Sequence, residues 1–89
     1  MARFEIAGID TAALGSGVID PRAYLDLGIL YSVGRSVPID RVEAHKWFNI
    51  AVARGCADAV RLRQELASEM SRDEISTAQR EARLWLAAR

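Results

Sequence analysis

From residue 20 onward, apolar positions recur at intervals of three and four, the spacing that lines one face of an α-helix. The first such stripe is Tyr24, Leu27, Gly28 and Tyr31. Asp20 and Pro21 precede it as an N-cap and a first-turn proline, whose missing N–H has no helical partner to lose. Gly34 follows, where a left-handed residue ends a helix, so a helix is predicted over 21–33. The stretch Arg35 to Asp40 contains Pro38, and Asp40 with Glu43 three residues later marks a second helix start. The stripe Ala44, Trp47, Phe48 and Ala51, closed by Gly55, predicts that helix over 41–54. Ala59, Leu62, Leu66 and Met70 predict a third over 57–70. Ser71 and Glu74 form a capping-box pair ahead of Ile75, Ala78, Ala82, Trp85 and Leu86, which predicts a fourth over 72–88.

Residues 1–19 read differently. They hold Gly8, Gly15 and Gly17, and the alternation of Phe4 and Ile6 hints at an extended arm, which stays unassigned. The chain thus divides into an arm, 1–19, and an all-α body, 20–89. Gly28 stands out within that body, because a mid-helix glycine costs about 1 kcal/mol relative to alanine. A closely approaching neighbour accounts for it, with Trp47 or Phe48 expected to cross over it.

Composition narrows the class. The 89 residues include 12 basic and 12 acidic side chains and are 51% hydrophobic, which suits one folded domain with no cationic excess for a phosphate backbone or an anionic membrane. No window reaches the 18 or more apolar residues of a membrane span, and Met1 to Leu14 carries Glu5 and Asp10 where a signal peptide needs an unbroken apolar run. A cytoplasmic location is expected, or a periplasmic one if the chain is cut from an exported protein. The lone cysteine, Cys56, has no internal disulfide partner.

Four elements fall in order along this chain: Leu27-Gly28-x-x-Tyr31, the turn proline Pro38, Ala44-x-x-Trp47-Phe48, and Gly55-x-Ala57-Asp58-Ala59. This run resembles one repeat of the Sel-one-like family, relatives of the tetratricopeptide repeats, and Ser71 to Trp85 resembles the helix that often closes bacterial proteins of that kind. The resemblance covers about 65 of the 89 positions. It implies an α-solenoid fragment, with one helix-turn-helix repeat over about 20–55 and a partial repeat plus capping helix over about 56–89. Its structural positions are Tyr24, Leu27, Gly28, Tyr31, Pro38, Ala44, Trp47, Phe48, Gly55 and Ala59. The next repeat would start at Ala59, 36 residues after Ala23, slightly longer than the roughly 34-residue tetratricopeptide period. That second unit is degenerate: Leu27, Gly28, Ile29 and Tyr31 map to Arg63, Gln64, Glu65 and Ala67.

If Tyr24, Leu27, Gly28 and Tyr31 face the second helix, then Arg22, Leu25, Ile29 and Ser32 form another line on the first. In solenoids of the resembled family that ridge lines the concave surface, where partner segments bind or the next repeat packs. The matching positions of the partial repeat are Asp58, Arg61, Glu65 and Ser68, so Arg22, Leu25, Ile29, Ser32, Arg61 and Glu65 are the candidate partner-binding residues. A groove with an apolar and a charged end suits an amphipathic peptide. The competing expectation is that residues 1–19 or a second copy of the chain covers Leu25 and Ile29. Solenoid units usually need about three repeats to bury their faces, which makes a protein partner or a homo-oligomer expected.

Catalytic chemistry is weakly represented. His45 is the single histidine and has no cysteine at metal spacing; a structural or surface role is expected. Cys56, at a repeat junction expected to be exposed, has no histidine placed to activate it. Glu65 with Glu69, and Asp73 with Glu74, read as solvated acids. No cofactor, metal or enzymatic activity is expected. A DNA-reading helix-turn-helix would need basic residues concentrated on one helix, and residues 57–89 instead hold six arginines against six acids.

Overall fold

A computed structural model describes residues 20–89, so the expectations for the 1–19 arm lie outside the described residues. The described chain is all-α, with α1 Pro21–Val33, α2 Arg41–Ala53, α3 Asp58–Ala67 and α4 Arg72–Ala87. Asp20 caps α1 by accepting the Arg22 N–H at 2.9 Å, and Gly34 ends it in the left-handed region at φ 68°. Asp40 caps α2 through the Glu43 N–H at 3.0 Å. The Glu43 carboxylate turns inward instead, accepting from Trp47 Nε1 at 3.1 Å and pairing with Lys46 Nζ at 3.0 Å. Ser71 and Glu74 form the full reciprocal capping box of α4, at 3.1 and 2.9 Å.

Four helix ends differ from the sequence expectation, and α2 and α3 show why. Helix α2 stops at Ala53 because a Schellman turn follows: Gly55, at φ 100°, donates to the Val52 carbonyl at 3.0 Å and Cys56 donates to the Ala51 carbonyl at 2.9 Å. That turn draws Cys56 into the core, where it is 8% exposed, correcting its expected place at an exposed junction. Helix α3 is shorter than 57–70 at both ends. Ala57 offers no capping side chain, and beyond Ala67 the chain tightens to i−3 bonds, Glu69 N–H to Leu66 and Met70 N–H to Ala67. Met70 still packs against the core from outside the helix. Helix α4 ends one residue before the expected 88.

The more extensive helix packings all run through α2, which meets α1, α3 and α4. Phe48 and Ala44 on α2 are buried, and the Phe48 ring lies directly over Gly28. A Cβ there would sit 3.1 Å from Phe48 Cγ and collide with Cδ1 and Cε1, so the glycine exchanges helix propensity for close contact between α1 and α2. Tyr24, Trp47 and Trp85 tie three helices together. Tyr24 and Trp47 stack at 6.0 Å, and Trp85 from α4 meets each edge-on, at 5.5 and 5.4 Å. Ala78 and Ala82, essentially without exposure, let α4 approach α2.

Candidate functional site

The ridge expected on α1 resolves into two unlike halves. At its N-terminal end, Arg22 Nη1 lies 3.3 Å from Asp58 Oδ2 at the start of α3. These residues are 36 apart in sequence, the same interval that separates the expected repeats. Leu25 is only 5% exposed and belongs to the core cluster, which corrects its assignment to an open partner-binding surface. It lies about 100° around the helix from Tyr24, at the edge of the α2-facing stripe, and packing claims it.

Toward the C-terminal ends of α1 and α3 the seam opens into a groove of about 340 Å³. Ile29, Ser32 and Val33 form one wall, Leu62, Glu65, Leu66 and Glu69 the other, and Phe48 contributes from α2. Ile29 is 37% exposed and Val33 53%. Ile39, 54% exposed, adjoins them: its Cδ1 is 3.2 Å from the position a Gly34 Cβ would occupy. Three of the four exposed large hydrophobic residues among those described therefore gather around the C-terminal end of α1. The fourth, Leu84, is on α4.

Of the six candidate residues, the structure brings Ile29, Ser32 and Glu65 to the groove. Arg22 is held at the closed end, Leu25 is core, and Arg61 stands outside the lining, 3.5 Å from Glu65. Sequence reasoning missed Val33, Leu62, Leu66, Glu69 and Phe48 as lining residues. Val33 was within reach, being four residues after Ile29 and 36 before Glu69. The equivalence extends to bonding: Ser32 Oγ donates to the Ile29 carbonyl at 2.9 Å, and Ser68 Oγ to the Glu65 carbonyl at 2.6 Å.

A polar network lies on the other side of α2. His45 is 2% exposed. Arg63 can only donate, so its 2.9 Å bond fixes the Asn49 oxygen as acceptor and turns the Asn49 amide N–H toward His45 Nδ1 at 2.8 Å. Nδ1 is therefore an acceptor and the neutral ring carries its proton on Nε2. Burial first, and the Arg63 charge second, hold the His45 pKa below its ordinary value, with its own backbone opposing in part. Nearby, Asn49, Gln79, Ala82, Arg83 and Leu86 line an open depression of about 410 Å³ between α2 and α4. Among the described residues no three of His, Cys, Asp or Glu converge as a metal site, and no helix is long and apolar enough to cross a membrane.

Comparison with protein-family models, curated proteins and solved structures finds no match for this chain.

Proposed function

We propose that this chain is a helical-repeat interaction module of the Sel-one-like kind, and that it holds a protein or peptide partner in the groove between α1 and α3 as an adaptor or scaffold. The observation that carries the reading is the pair of exposed apolar side chains, Ile29 and Val33, on the wall of a groove between α1 and α3, with exposed Ile39 next to Gly34 at the end of α1. A contiguous apolar patch beside a concavity costs solubility unless something covers it. The repeat character draws support from the 36-residue equivalences, Arg22 beside Asp58 and Ser32 bonded as Ser68 is, and from Phe48 seated over Gly28. An enzymatic reading has less to rest on, since the groove presents carboxylates already paired to Arg61 and Arg41 and a Ser32 hydroxyl that donates to the Ile29 carbonyl.

The reading is tested by placing a photo-crosslinking residue at Val33, and as a control at exposed Arg80, in the protein's own cells. A discrete adduct at Val33 that is absent at Arg80 and lost in Ile29→Ser is expected. Identical patterns at both sites would remove the groove as a partner site. An adduct of twice the chain's mass would favour self-association.

A further inference from the structure

The groove is electronegative at one end, and two independent features make it so. Glu65 and Glu69 line it, whereas Arg61 and Arg41, their ion-pair partners, do not. Each arginine reaches its carboxylate at 3.5 Å, in pairs with every side chain 46% or more exposed, a class of contact that contributes little and exchanges readily. The second feature is the backbone. The N-terminal ends of α1 and α3 meet at Arg22 and Asp58, while the groove is lined from the second halves of both helices, so α1 and α3 run in the same direction and both C-termini point to the open end. A helix C-terminus carries roughly half a negative charge. Neither last turn holds a basic residue, and the carbonyls there accept from neutral donors, the hydroxyls of Ser32 and Ser68 and backbone N–H groups such as those of Asp40 and Met70.

Resting on the proposed reading of the groove as a partner site, we infer that its partner is a positively charged amphipathic segment, with apolar side chains that settle on Ile29, Val33, Leu62 and Leu66 and a lysine or arginine at the end that meets Glu65 and Glu69. The incoming cation takes over the carboxylates from Arg61 and Arg41 and closes the two helix dipoles. An acidic segment of the same shape meets two carboxylates and two helix C-termini of its own sign. Volume sets the scale: about 340 Å³ receives a few side chains of one short segment, with its backbone lying across the mouth.

The test uses the full chain and two fluorescein-labelled 14-residue helical peptides. Both carry leucine at positions i, i+3 and i+7; one is flanked by lysines and the other by glutamates. Fluorescence anisotropy should show the lysine peptide binding at least about tenfold tighter at low salt, with the preference collapsing at 0.5 M salt as the charges are screened. Glu65→Lys with Glu69→Lys should invert the preference, and Ile29→Ser with Val33→Ser should abolish binding of either peptide, in proteins whose circular dichroism remains helical. Equal binding of both peptides, lost in the double serine variant, would keep the groove and overturn the charge selection. Absence of binding by either would overturn both. Blocking of the groove by a synthetic 1–19 peptide, or dimerisation removed by the double serine variant, would overturn the inference by assigning the groove to the chain itself.

Discussion

The two ends of the α1–α3 seam are built from equivalent positions and have opposite fates. At the N-terminal end Leu25 is buried and Arg22 meets Asp58; at the C-terminal end Ile29 and Val33 remain open to solvent beside Leu62 and Glu65. The same helical line supplies Arg22, Leu25, Ile29 and Ser32, so periodicity alone does not separate structural positions from available ones. What separates them is distance from the closed end. A charge placed on Leu25 disturbs the fold, whereas one placed on Val33 meets water.

The contrast breaks most completely if α1 is lifted off α2. Gly28→Leu introduces a side chain where even a Cβ collides with the 2%-exposed Phe48 ring. Overpacking of this kind costs about 1–3 kcal/mol or more, a large part of the stability of a small domain, and calorimetry should show loss of the cooperative transition. Leu25→Glu comes next. Burying an unpaired carboxylate in place of an apolar side chain should cost about 3 kcal/mol or more, read as a fall in the urea midpoint. The same measurement on Val33→Glu should move by no more than about 0.5 kcal/mol. Similar midpoints for the two variants would erase the distinction between the ends.

Acid sharpens the other side of α2. His45 has its pKa lowered in the folded state by burial and by Arg63, so the neutral ring is the folded form. Above about pH 6.5, the ordinary histidine value, both folded and unfolded chains carry it neutral and its contribution is constant. As pH falls below that point the unfolded chain takes up the proton first, and stability declines until the depressed folded pKa is reached. Protonation would also set a Nδ1 N–H against the Asn49 amide. Urea midpoints at pH 7.5 and 5.5 should differ, and His45→Gln should flatten the difference. The smallest effect belongs to the exposed closing pair: Arg22→Ala should change stability by less than about 0.5 kcal/mol, measured by the same denaturation.

Much of this was legible along the chain. Capping residues and left-handed glycines locate α1, α2 and α4 because these are local devices, complete within a turn of backbone: Asp20, Gly34, Asp40 and Ser71 act as read. The weight of Gly28 was legible too, since its cost as a helix residue demands a neighbour, and Phe48 is that neighbour. Helix α3 was less readable because it has no capping side chain at Ala57 and its last turn tightens without a glycine. Cys56 misled for a similar reason. Its burial follows from the turn around Gly55, whereas its place at a repeat junction suggested exposure. The groove was half legible. Ile29, Ser32 and Glu65 came from spacing, but Val33 and Glu69 line it because α1 and α3 are parallel and part toward their C-termini, a tertiary relation no single helix pattern contains.

The central claim, that one end of the seam is structure and the other is available to a basic partner, meets its most direct test in amide chemical-shift mapping by NMR as the lysine-flanked peptide is titrated into the full chain. Perturbations confined to Ile29 through Gly34 and Leu62 through Glu69, with Ala23 through Asp26 and Ala59 through Arg61 unmoved, are expected. Shifts centred on Leu25 and Asp58, or spread evenly over α1, would contradict it.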